Sequence, residues 1–273
     1  MKNIRLSKNA ASILLFLVMG LWALTACDVR VLDSDDNVAN TNFSAVEAFA
    51  FEIAVKNQTR LNLTAINGPV DVIGVAGATT AKIFGERRVE SESAADAQAH
   101  LKELEVRVTD RQDEIAVNTI QPDNSHGRNY KVVYHLRLPN TWKFAVDHVN
   151  GIVTIDSLRN DVSLKVTNGS VQLREVSGSV NAELVNGQLT GKLWLPVQGS
   201  CKMATVNGQI LLTIPTSTTA EFSAAVTNGD INLSNLSLNN SVSTPKSLRG
   251  KLGNGQGTIS LSTVNGNISV SGF

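Results

Sequence analysis

Two cysteines in 273 residues, Cys27 and Cys201, leave little room for a disulfide framework, so the fold must be held by an apolar core. Aromatic residues make up 5% of the chain, which leaves Trp142, Trp194 and Phe222 as the few candidate sugar-stacking surfaces; burial or a place at the end of a coil is the plainer reading of each. The four histidines are His100, His126, His135 and His148, and none lies at metal-ligand spacing from a cysteine or another histidine. Asp147 and His148 are adjacent, so in a strand they point to opposite faces and cannot act together. Residues 150–273 hold no histidine, and their only acids are Asp156, Asp161, Glu175, Glu183, Glu221 and Asp230. Asp156 and Glu175 could stack on neighbouring coils beside Arg174, but scattered charge on a solvated surface explains them as well. No Gly-x-Ser-x-Gly, Ser-His-Asp order or phosphate loop is present; Gly253-Asn254-Gly255-Gln256-Gly257 has neither the lysine nor the helix that a phosphate cradle needs and reads as a turn. No catalytic residue, metal or cofactor is expected. The formal net charge of +0 offers no footprint for nucleic acid.

The N-terminus has a definite order. Lys2, Arg5 and Lys8 precede an apolar stretch from Ala10 to Ala23, too short to span a bilayer, which needs about 20 apolar residues. It reads as the apolar region of a secretory signal. Leu24-Thr25-Ala26-Cys27 resembles the lipobox of bacterial lipoproteins, which implies cleavage after residue 26 and lipidation of Cys27. Removal of residues 1–26 takes away three basic residues, leaving 24 − 3 = 21 basic against 24 acidic. Asp28, directly after the cysteine, resembles a signal for retention in the inner membrane. The polar stretch 27–42 is expected to be a tether, and 43–273 a single domain of the cell envelope, attached to the membrane through lipid.

What the chain does have is a repeat. Asn-Gly occurs at Asn67, Asn150, Asn168, Asn186, Asn207, Asn228, Asn254 and Asn265, with intervals of 18, 18, 21, 21, 26 and 11 residues from Asn150 onward. Three and five residues after each asparagine, fourteen of sixteen positions are Val, Ile or Leu. Gly191 and Gly257 are the two exceptions. Alternating strands also precede the dipeptide, as in Val162, Leu164 and Val166 before Asn168. Alternation around a turn dipeptide marks half-buried strands.

Asn-Gly suits both the tight hairpins of an antiparallel meander and the corners of a stacked β-solenoid. A near-constant interval of about 20 residues, with one turn per two strands, favours the solenoid: an all-β parallel β-helix with Asn-Gly corners. Each coil would rest on the one before it, and aligned Asn168, Asn186, Asn207 and Asn228, with Asn150 and Asn265, would form a side-chain ladder. The segment holding Asn239, Asn240, Ser241 and Pro245 is expected to be a loop. Ser93–Leu104 is the single helical stretch, with a serine cap and Ala95, Ala99, Leu101 and Leu104 on one face. Cys201 fits a small buried hydrophobe.

The order of these parts resembles a bacterial family named for adhesion, domain of unknown function 4097. The match rests on an early Asn67-to-Val72 motif, the short helix, a strand ending in Leu138-Pro139, and repeated Val-Asn-Gly coils. The resemblance implies a β-solenoid-like fold on exported proteins, with no catalytic residues. The expected role is a structural, adhesion or binding module with an unknown protein or glycan partner. The alternatives are a carbohydrate-active enzyme and an accessory sensor of envelope stress.

Overall fold

The computed structural model describes residues 42–273. Cys27 and Asp28 lie outside the described residues. Among the described residues, eighteen strands belong to one continuous hydrogen-bonded sheet, and the fold is all-β with one short helix.

The parity of the buried residues explains how the sheet closes on itself. In β8 (Lys143–Asp156) the inward residues are Phe144, Val146 and His148 before Asn150-Gly151, then Val153 and Ile155 after it. A straight strand keeps one parity, so the switch from even to odd marks a bend at Asn-Gly. The same switch occurs in β9 (Val162–Val176) and in β10 (Val180–Leu193). The segments before the bend build one face and the segments after it build another, with the core between.

On the first face, β2 (Arg60–Asn67), β8, β9, β10, β11 (Ser200–Asn207), β17 (Gly257–Asn265) and β13 (Ala220–Asn228) stack in parallel. On the second, β3 (Val70–Val75), β8, β9, β10, β12 (Ile210–Ile214), β18 (Ile268–Gly272) and β14 (Ile231–Ser234) do the same. In-register pairing turns the sequence repeat into columns. One inward column runs Leu61, Phe144, Val162, Val180, Cys201, Ile259 and Phe222, and all seven are buried. Gly191 is the small member of another column, and a Cβ there would meet Met203 Cε at 2.7 Å. The flexible methionine fills the space that the glycine leaves.

Two expectations need correction. The coils do not stack in chain order, because the last one, β17–β18, lies between β11–β12 and β13–β14. Burial supplies the reason. Ile259, Leu261, Ile268 and Val270 are buried on all sides, whereas Ile231 and Leu233 are only partly covered and suit the outer position. The expected loop after Asn228 is instead a hairpin of β15 (Asn239–Thr244) and β16 (Ser247–Leu252), whose second strand pairs antiparallel with β13. Every residue of β15 is exposed, so it carries no apolar alternation to read.

Antiparallel strands cover the opposite end as well. There β5 (Glu105–Asp110) joins β6 (Glu114–Ile120), which pairs with β2. On the other face β1 (Phe43–Ala54) joins β4 (Thr80–Ser91), which pairs with β7 (Asn129–Pro139). Beside them sits α1 (Ala94–His100), continued by a 3-10 turn over Leu101–Glu103. Ser93 caps α1 by accepting from the Asp96 amide at 3.1 Å. Ala97, Leu101 and Leu104 are its buried residues, not Ala95 or Ala99.

Candidate functional site

The asparagines at the bend are joined edge to edge. Asn150 Nδ2 donates to Asn67 Oδ1 at 2.7 Å, and Asn168 donates to Asn150, Asn186 to Asn168 and Asn207 to Asn186, each at 2.8 Å. Asn265 then donates to Asn207, and Asn228 to Asn265, again at 2.8 Å. Asn228 therefore does not meet Asn207, and Asn254 lies in a turn outside the row. The glycines behind them touch backbone to backbone: a Cβ on Gly187, whose φ is +136°, would lie 1.6 Å from the Gly169 carbonyl oxygen. Asn-Gly thus answers a packing need at this corner as well as a turn preference.

The acids of the repeat region lie apart on the outside. Asp161 holds Lys143 at 2.9 Å, Glu175 holds Lys192 at 3.1 Å, Glu183 holds Lys202 at 2.9 Å and Glu221 holds Lys251 at 2.7 Å. Asp156 sits in register with Arg174 and accepts from the Ser157 hydroxyl at 2.5 Å. Glu175, the residue after Arg174, is paired with Lys192.

The histidines are equally separate. His100 contacts Asp96 and Glu103 beside the helix, where a two-pronged contact from Arg128 holds the Asp96 carboxyl well below the usual carboxylate range. His135 stacks on Phe84 with ring centroids 5.4 Å apart. His148 is 1% exposed and its two ring nitrogens have no hydrogen-bond partner. Burial lowers its pKa, with the nearby backbone of Ala65, Gly68 and Asn150 opposing that shift. Burial also pushes the Cys201 thiol up to about 12, the mark of an unreactive core cysteine. Among the described residues, no group of three or more His, Cys, Asp or Glu could hold a metal ion, and no helix is long and apolar enough to cross a membrane.

Of the aromatic candidates, Trp142 and Phe222 are buried. Trp194 is half-buried and packs edge-on against Phe273 at 5.2 Å, with Lys192 Nζ over both rings. It is a finished contact at the end of the second face.

The first face holds what the sequence did not announce, a groove of about 360 Å³. It crosses five stacked strands from β2 to β11. Arg60, Lys143, Asp161, Ser179 and Ser200 line one side, and Asn62, Ala145, Ser163 and Asn181 the other, over the backbone of Phe144, Val162 and Val180, whose side chains are buried on the core side. The depression arises where outward residues shrink to Ala and Ser between the longer Arg60 and Lys143 at one end and Lys202 beyond the other. Its cations are already neutralised, because Arg60 holds Asp113 at 2.6 Å and Glu114 at 3.0 Å, and Lys143 holds Asp161. Asn62 is committed to Glu114 at 2.8 Å. Asn181 Oδ1 is enclosed and has no hydrogen-bond partner. Only a comparison of register positions across coils could have revealed this row, since its members are unremarkable within their own strands.

A family model described as Toastrack DUF4097 matches residues 25–271. No curated protein matches the chain. A solved structure named for cell adhesion, from Clostridium sporogenes ATCC 15579, aligns at 14% identity with a TM-score of 0.41, covering 83% of this chain and 100% of its own. An adhesin-named structure from Bacteroides fragilis NCTC 9343 aligns at 12% identity and a TM-score of 0.30, over 83% of this chain and 97% of its own. A third, from Parabacteroides distasonis ATCC 8503, gives 15% identity and a TM-score of 0.22 over 82% and 97%.

Proposed function

The chain belongs to the Toastrack DUF4097 family, and on that premise we propose that it is a non-catalytic binding module of the cell envelope, held at the membrane by lipid on Cys27. Its stack is read as a parallel β-solenoid with Asn-Gly corners, a rigid body that presents its flat outer faces to a partner. One observation carries the non-catalytic reading: Asp161, Glu175, Glu183 and Glu221 each hold a different lysine in an ion pair on the outer surface. Hydrolysis of a glycan by a pair of acids needs two carboxyl groups held roughly 5–10 Å apart around one bond. The in-register parallel pairing supports the solenoid reading, and the order of the first 27 residues supports the anchor.

The test has two arms. Cells grown with a labelled fatty acid should label the wild-type chain and leave Cys27→Ser unlabelled; equal labelling removes the anchor. Purified full-length chain should bind isolated envelope material saturably without releasing reducing ends, and Asp156→Asn with Glu175→Gln should leave that binding intact. Cleavage that those two changes abolish would make the protein an enzyme.

A further inference from the structure

We infer that the free edge of β1 pairs with the β1 edge of a second copy of this chain, antiparallel about a two-fold axis at Ala48, so that one sheet runs through both copies. The inference stands apart from what the outer faces bind.

Each face of the stack ends in an edge strand at either end. Among the described residues, β1, β5, β14 and β15 each pair with one neighbouring strand only. An open edge is a template for another chain, and proteins blunt it by shortness, charge or proline. Three of the four edges are blunted. Strand β14 has four residues, β5 carries Glu105, Arg107 and Asp110 among its six, and β15 is exposed throughout and followed by Pro245. Strand β1 is twelve residues long, with no proline, no basic residue and only two carboxylates. Both carboxylates are taken by β4, Glu47 by Arg87 and Glu52 by Lys82, each at 2.8 Å. The longest of the four edges is therefore the undefended one.

The pattern of β1 selects its occupant. Facing residues of an antiparallel pair lie on the same face of the sheet, so two identical strands related by a two-fold axis place that axis on a residue. An axis at Glu47 would set two carboxylates directly opposite, which is unfavourable. An axis at Ala48, in the middle of the strand, sets Val46 against Ala50, Phe43 against Ile53, Ser44 against Glu52 and Glu47 against Phe49, so that no two acids face each other. Phe43 and Val46, 48% and 44% exposed in the single chain, each gain an apolar neighbour. Residues 43–53 then supply about one main-chain bond per residue, roughly ten in all, as many as a stable interface carries. A foreign peptide added to an edge is selected by pockets for its alternate side chains. Ser44, Ala48, Ala50 and Ala54 on the outward face of β1 are too small to wall such pockets, whereas self-pairing takes its specificity from register alone.

The experiment follows self-association of the full chain carrying Cys27→Ser, by sedimentation over a range of concentrations and by cross-linking. A reversible dimer is expected. Ala48→Cys lies on the axis, where facing Cα atoms are about 4.5–5.5 Å apart, within disulfide reach. Mild oxidation should turn that variant into a covalent dimer and leave Ser163→Cys on the first face uncross-linked. Ala48→Lys should weaken the dimer about tenfold or more, because two like charges then meet across the axis. Within one copy the new charge faces Glu86, so the urea midpoint should hold. Mixing Ala48→Lys with Ala48→Glu should restore a dimer containing one of each. A chain that is monomeric at every concentration overturns the inference, as does a dimer indifferent to Ala48→Lys. A chain that dimerises only after deletion of residues 28–41 would have its edge covered by its own segment, and the second copy falls as occupant. None of these outcomes touches binding to envelope material, which stands or falls by its own test.

Discussion

Asn265 donates its side-chain amide to Asn207 at 2.8 Å across 58 residues of sequence. This one bond records that the last coil of the chain is inserted between two coils made earlier. At the other end the first coil, β2–β3, is likewise flanked on both sides, by β6–β7 and by β8. Neither the first coil nor the last is a free end of the stack.

Removal of residues 257–273 should therefore abolish the cooperative fold rather than trim it. The deletion strips Ile259, Leu261, Ile268 and Val270 from the core. At roughly 1.5–3 kcal/mol each, their loss amounts to roughly 6–12 kcal/mol, comparable with the whole net stability of a domain, about 5–15 kcal/mol. Circular dichroism and urea titration measure the outcome. A truncated chain that unfolds in one sharp transition near the full-length midpoint would contradict the inserted coil.

The asparagine row predicts a position effect. Asn186 bonds a neighbour on each side, so Asn186→Ala loses two bonds, at about 0.5–1.5 kcal/mol apiece. Asn228 is bonded within the row only to Asn265, so Asn228→Ala should cost about half as much. Equal shifts of the urea midpoint would mean that the ladder bonds contribute nothing beyond what water replaces.

Gly187→Ala should be worse than either, although it adds one methyl group. The φ of +136° and the approach to Gly169 leave the new Cβ no room unless two coils separate locally, and a backbone strain of about 1–3 kcal/mol adds to the clash. The check is the yield of folded protein beside Ser170→Ala on the neighbouring coil, which should be nearly silent.

Two groups set separate acid windows. His148 is neutral in the folded state with its pKa below the ordinary 6.5. As pH falls below 6.5 the unfolded chain takes up a proton that the folded chain refuses, so stability declines. His148→Val should flatten that slope. The Asp96 carboxyl is held below its ordinary 3.8 by Arg128 and Ser91. Its contribution is complete above 3.8 and is lost as pH falls further, so Asp96→Asn should change only the more acid part of the curve. A stability profile against pH for both variants separates the two.

Cys201 should be silent to thiol reagents. In a Cys27→Ser background, a thiol buried at 2% exposure and pushed up to about 12 should react only on unfolding. Prompt modification of the native chain would show that the Val180, Cys201 and Ile259 column opens.

The repeat was legible because each bend imposes one requirement, a glycine that can approach its neighbour with an asparagine in front of it. That requirement is the same on every rung, which is why the order of rungs was not legible. Nothing at Asn265 distinguishes a coil placed after Asn228 from one placed before it. A sign did exist at Asn254, where Gly257 stands in the place of the usual Val, Ile or Leu, and this dipeptide is the one that left the row for a turn. The β15–β16 hairpin escaped because a fully solvated strand has no alternation to display. The groove escaped for a different reason: Ala145, Ser163 and Ser179 acquire meaning only side by side, and register is a property of the assembled sheet.

The central coils carry a further consequence. Asn150, Asn168 and Asn186 are spaced by 18 residues and sit in direct register, so this part of the molecule is a translation of itself. A duplicated 18-residue unit inserted there would extend the stack by one strand spacing, about 4.8 Å, without disturbing the elements that close either end. The length of such a protein is then an adjustable ruler. Relatives could lengthen their reach by whole units, and the groove with it.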